Sequence, residues 1–160
     1  MSSQEPPQLD ANNPNTQQVL PGVAFKWLEG NRIIVCRLRD NKRLAVDVFN
    51  LTFASILRDR NKELPFMVMF DLSKLDLGLT GYFKDKFTQL MTDNPNMKGR
   101  AAWVVREDHF SRSTELFVTR SLTEYNAEFV RRVFHEQEPA LDWLKEGLKA
   151  DESSEKESSD

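Results

Sequence analysis

Hydrophobic positions in this chain come as short unbroken runs separated by stripes of helical period. After Gly22, the residues Val23, Phe25 and Trp27 fall on one face as far as Gly30-Asn31, and IIVCRL follows directly. Two β-rich runs joined by a Gly-Asn turn signal predict an antiparallel hairpin. From about Arg43 to Arg60 the period changes. Leu44, Val48 and Leu51 recur at i, i+4 and i+7, and Phe49, Phe53 and Ile56 widen the stripe. That spacing predicts a helix with its apolar face on a sheet. Asp40-Asn41 offers an N-cap, and Asn61 stands where the helix should stop.

Phe66 to Phe70 are apolar without interruption, follow Pro65 and stop at Asp71. Such a run reads as a strand buried on both faces. A loop through Gly78, Thr80 and Gly81 then leads to Phe83, Phe87 and Leu90 at helical spacing, a helix that should fail by Asp93-Asn94-Pro95. The pattern repeats. Ala101–Val105 is a second buried strand, and Asp108 can cap a helix bearing Phe110, Phe117 and Leu122. Arg131–Phe134 is a short strand, and EPALDWLKEGL is a last helix with Pro139 in its first turn and Ala140, Leu144 and Leu148 on one face. The predicted class is α/β: a β-hairpin followed by αβ repeats, giving a mixed, mostly parallel five-stranded sheet with about four helices and right-handed crossovers.

Composition sets the boundaries. The 160 residues suit one domain with one substantial core. Residues 1–20, rich in Gln, Asn and Pro, read as a disordered lead-in, 21–150 as the folded domain, and 151–160 as a disordered acidic tail. The net charge of −3 arises in that tail, DESSEKESSD, whose five acids face one lysine, so residues 1–150 are close to +1. A nearly neutral body lacks the dense basic stripe of a nucleic-acid binder. No apolar run approaches the ~18–20 residues of a membrane span, and the N-terminus lacks the basic start and apolar centre of a secretory signal, so a cytoplasmic location is expected. Cys36, the one cysteine, lies in an apolar run and reads as a buried, inert thiol.

Candidate chemistry is sparse. His109 and His135 lie in different units without metal-ligand spacing, and neither a nucleophile elbow, a Walker loop nor a dinucleotide fingerprint is present. No catalytic residue, metal site or cofactor is expected, and the chain reads as a non-enzyme. Leu77-Gly78-Leu79-Thr80-Gly81 has two glycines but no following lysine, so it is a weak phosphate loop. Asp71 and Asp76 invite a carboxylate-pair reading, against which stands a loop aspartate capping local N–H groups. Arg37, Arg39, Lys42 and Arg43 form a basic group beside the hairpin, read as a solvated face or, alternatively, a contact for anionic lipid.

A hairpin, a helix and a buried strand closing on Asp71-Leu72-Ser73 resemble the STAS domain, the SpoIIAA-like fold of anti-sigma-factor antagonists. In that family a loop after such a triplet leads to Asp-Ser-Ser-Gly at the start of a helix, and the second Ser accepts a phosphoryl group. Here Thr80 matches the phosphoacceptor and Gly81 the glycine after it, whereas Gly78 stands in place of the Asp and Leu79 in place of the first Ser. Arg132-Val133-Phe134 and Ala140-Leu141-Asp142-Trp143-Leu144 resemble the ending of SpoIIAA-like relatives grouped with the lipid-binding Sec-fourteen type. The resemblance spans about residues 22–149. It implies a regulatory module that binds a protein partner, such as a regulator, kinase or phosphatase, through Asp71, Gly78, Thr80 and Gly81. Thr80 is the implied phosphoacceptor and Ser73 the secondary candidate; from its place before the helix, Thr80 also reads as a plain N-cap. The alternative implication is a lipid or small apolar ligand, or attachment to a membrane surface. A homodimer is compatible with either.

Overall fold

The computed structural model describes residues 17–20, 22–75, 78–122 and 128–158, with strands β1 (Gln17–Leu20), β2 (Val23–Leu28), β3 (Ile33–Leu38), β4 (Phe66–Asp71), β5 (Gly99–Val104) and β6 (Phe129–Phe134). Four helices accompany them: α1 (Arg43–Asp59), α2 (Gly81–Thr92), α3 (Ser111–Leu116) and α4 (Gln137–Ser158). A π-helical turn, Phe117–Ser121, continues α3.

β2 and β3 form the expected hairpin, and Glu29, Gly30 and Asn31 take positive φ in its turn. β3, β4, β5 and β6 are parallel neighbours, and the strands lie in chain order across the sheet. Successive right-handed crossovers in one direction place their connecting helices on one face. The buried side chains agree, since α1, α2 and the π-helical turn share one core with Val68, Phe70, Ala101 and Trp103 of the sheet. The chain thus builds the mixed α/β sheet that the pattern of runs and stripes predicts. It also adds a strand. β1 pairs antiparallel with β2 at the sheet edge, inside the segment expected to be a lead-in; residues 1–16 lie outside the described part.

α1 meets the sheet in a different phase from the one expected. Ala45, Val46, Phe49, Phe53, Ile56 and Leu57 are buried, whereas Leu44 is 67% and Leu51 71% exposed and Val48 is half-buried. Two apolar stripes compete on this helix, and the one bearing both phenylalanines removes more apolar area from water. Phe53 meets Phe70 edge-on at 5.2 Å, and Phe70 also packs on Trp103 at 4.4 Å and on Phe87 at 5.3 Å. Neither Asp40 nor Asn41 is the N-cap; Lys42 occupies that position without a side-chain cap, while the Asp40 carboxylate accepts from the Lys42 amide. On α2 the buried residues are Phe83, Phe87 and Met91, with Leu90 only half-buried. Phe110 precedes α3 and is largely exposed, whereas Phe117 and Leu122 are buried as expected.

The opposite sheet face is covered by α4. Ala140, Leu144 and Leu148 pack on Ile33, Met67, Met69, Ala102 and Val104. Arg100 helps seat the helix: its guanidinium donates to the Trp143 carbonyl at 2.8 Å and lies 4.9 Å from the centre of the Trp143 ring. α4 does not stop at Ala150, as the acidic tail led us to expect, but continues to Ser158. Asp151 and Glu152 there meet Arg32 of the hairpin turn at 3.6 and 3.2 Å. At the start of β5, Gly99 has φ +131°, and a Cβ at that position would stand 2.0 Å from the Phe66 carbonyl oxygen. The β4–β5 ladder therefore closes only on a glycine there.

Candidate functional site

Successive side chains of a strand point to opposite faces. Along β4, Val68 and Phe70 belong to the core beneath α1 and α2, while Met67 and Met69 belong to the core beneath α4. Asp71 shares the parity of Met67 and Met69. It is fully buried and accepts from Arg37 Nε at 2.8 Å and from Gln137 Nε2, on the first residue of α4, at 2.6 Å. Its other oxygen accepts from the Ser73 amide at 3.0 Å and from Ser73 Oγ at 2.6 Å. Burial pushes the Asp71 carboxyl up, but the Ser73 hydrogen bonds and the Arg37 guanidinium outweigh it and hold it below the usual aspartate value.

The structure therefore does not assemble the predicted site residues into one cluster. Asp71 is a buried junction on the α4 side. Thr80 begins the helix on the other side. It has extended backbone angles, and its Oγ1 accepts from the Phe83 amide at 3.1 Å, an N-cap of α2. The Gly78 carbonyl accepts from Asn41 Nδ2 at 2.9 Å, which ties the loop to the chain entering α1. A Cβ on Gly78 would stand 2.7 Å from Phe110 Cβ, so the loop lies close against the approach to α3. Gly81 is exposed, with no heavy atom within 4 Å of a Cβ placed there. Ser73 is half-buried, with its hydroxyl committed to Asp71. Asp76 and Leu77 lie outside the described residues, and with them the Asp71–Asp76 pairing and the start of the Leu77–Gly81 loop.

The first turn of α2 has no acidic residue, so the helix itself supplies no carboxylate at the positive end of its dipole. Next to it, the Tyr82 hydroxyl donates to Asp47 of α1, and Arg43 lies 4.5 Å from the Tyr82 ring centre. The hydrogen bond to Asp47 raises the Tyr82 pKa above its ordinary value. These contacts join the start of α2 to the outer stripe of α1, where Leu44, Val48 and Leu51 stand. Nothing in the polar sequence signals that join, because it depends on how two helices dock.

The two histidines serve separate places. His135 Nδ1 is 2.9 Å from the Val105 carbonyl oxygen, and His109 is exposed ahead of α3. Cys36 is buried, and burial pushes its thiol well above the usual value. Arg37 belongs to the Asp71 junction, while Arg39, Lys42 and Arg43 are exposed. Sequence reading missed Arg37 and Gln137 as partners of Asp71. The parity of Met67, Met69 and Asp71 signals the face, but not who waits there. Among the described residues, no helix is long and apolar enough to cross a membrane.

These features define a mixed α/β sheet with a capped-helix loop on one face and a buried ionic junction on the other. No protein-family model matches the chain, and neither a curated protein nor a solved structure does.

Proposed function

We propose that this chain is a non-enzymatic regulatory module that recognises a protein partner through the outer face of α1 and the Thr80 end of α2. The observation that supports this reading is the exposed pair Leu44 and Leu51, with half-buried Val48 between them, on a helix whose core-facing side is already filled. Two exposed leucines two turns apart, beside Tyr82 and a helix N-terminus whose first turn carries no acid, offer apolar contact and a place for negative charge together. Burying a leucine side chain fully is worth ~1.5–3 kcal/mol, enough for the two to dominate a small interface.

Thr80 is the control point in this reading. A phosphoryl group on its oxygen would stand at the α2 N-terminus, add about −2 charge and gain from the dipole. Ser73 suits the role less, because a phosphoryl group there would face the Asp71 carboxylate. The test is affinity capture from native cytosol with the parent protein, Thr80→Asp, Thr80→Ala and Leu44→Glu/Leu51→Glu. Aspartate retains capping ability, so Thr80→Asp separates charge from helix stability. The expected result is a partner captured by the parent, lost with the double glutamate and altered by Thr80→Asp but not by Thr80→Ala. Identical captured sets from all four proteins, or none from any, would remove the proposal.

A further inference from the structure

α4 packs chiefly on β4, β5 and β6 and, beyond its contact with Ile33, covers less of β2 and β3 on the same sheet face. The result is a groove of about 380 Å³ between the hairpin and the start of α4. That volume is within the range of small-molecule sites, roughly 300–1,000 Å³. Its apolar lining comes from Ala24, Leu28, Val35, Met69 and Leu141. Arg37, Lys26, Gln137 and Glu138 supply the polar groups.

The chemistry of those four groups is not symmetrical. Asp71, the acid nearest Arg37, is fully buried and already accepts four hydrogen bonds, so it is closed to a ligand. Arg37 gives it only Nε, and among the described residues its two Nη groups have no hydrogen-bond acceptor. A guanidinium held by one edge presents the other as a rigid fork, the geometry that matches a carboxylate. Lys26 adds an exposed ammonium, and Glu138, exposed in the first turn of α4, is the one acid on the rim. Gln137 is held by Asp71 through its amide nitrogen.

We infer that this groove binds a small amphiphile with a carboxylate head, its head on the Nη edge of Arg37 and its apolar body along Ala24, Val35, Met69 and Leu141. Asp71 is a positioning residue, holding the fork without touching the ligand. The inference concerns the α4 side of the sheet and does not rest on the partner surface of α1 and α2.

The test is titration of the full chain with decanoate, decanol and decyltrimethylammonium below their aggregation concentrations, read by amide chemical shifts and calorimetry. Decanoate is expected to bind saturably, shifting the amides of Ala24, Val35 and Leu141, with an affinity at least about tenfold above decanol, the difference one charge-assisted contact supplies. The cationic amphiphile should not compete. Arg37→Lys keeps the charge beside Asp71 but lacks the fork, and should abolish that tenfold preference for the carboxylate. Ala24→Leu, at the position paired with Arg37 in the hairpin, narrows the groove and should abolish binding of both decanoate and decanol. Ala24→Leu leaves the ion pair intact and decides the matter if Arg37→Lys does not fold. No saturable binding, equal affinity for the three heads, or shifts that leave the groove residues unmoved would overturn the inference.

Discussion

Asp71 offers the sharpest physical test of the fold. Asp71→Asn preserves side-chain volume, so no cavity opens, but it replaces one acceptor oxygen with an NH₂ group. Each Asp71 oxygen accepts from one group that can only donate, Arg37 Nε on one and the Ser73 amide on the other, so either orientation of the asparagine amide sets NH₂ against one of them. It also removes the negative partner of Arg37. Breaking a buried pair from one side costs ~3–5 kcal/mol. With a urea slope of ~2 kcal/mol/M, typical of small proteins, the unfolding midpoint should fall by about 1.5–2.5 M. Tryptophan fluorescence will follow it, since Trp103 lies in the core. The acid limb gives a second readout. The folded Asp71 carboxyl titrates below its ordinary value of 3.8, so its stabilising contribution is complete above that pH and is lost as pH falls through the folded value. Asparagine does not titrate there, and the gap between the two proteins should therefore narrow in acid. A loss under about 1 kcal/mol at neutral pH, or a gap that stays constant from about pH 7 to 3, would show that the junction is not the ionic one described.

The phase of α1 is open to a paired comparison. Phe53→Ala should cost ~3–5 kcal/mol in urea unfolding and Leu51→Ala no more than about 0.5, and the reverse order would mean that the helix is rotated. Gly99→Ala should cost at least about 3 kcal/mol or leave the protein insoluble, because backbone strain adds to the clash with the Phe66 carbonyl; a neutral effect would contradict the β4–β5 register. Thr80→Ala should lower stability by about 1 kcal/mol and Thr80→Asp by less, as thermal melts would show. Cys36 should resist a colorimetric thiol reagent in native buffer and react fully in denaturant, whereas fast native labelling would place it at the surface.

How far this molecule could be read from its residues depends on where apolar pattern decides the outcome. The hairpin, the runs at Phe66–Phe70 and Ala101–Val105, and the stripe of Ala140, Leu144 and Leu148 have one apolar solution each, and the fold adopts it. α1 has two, and choosing between Leu44–Leu51 and Phe49–Phe53 requires the shape of the sheet beneath. β1 is held by backbone pairing to β2, which QQVL does not advertise. The end of α4 has no apolar stripe to declare it, and the acids that suggested a tail meet Arg32 across the turn. At the candidate site, the capping role of Thr80 was legible from its place before a helix. The partners of Asp71 were not, because Arg37 and Gln137 come near it only through strand register and the docking of α4.

The chain-order arrangement of the strands has a consequence for how the protein is made. Each new strand pairs with the one just completed, so the sheet can grow by accretion as the polypeptide leaves the ribosome, without waiting for a distant segment. The helix that begins at Gln137 is the exception, since it returns across strands finished long before. Until it arrives, Ile33, Met67, Met69, Ala102 and Val104 form a bare apolar wall, and Asp71 lacks its last donor. A nascent chain stalled before that point would be assembled but adhesive, a natural client for a holding chaperone.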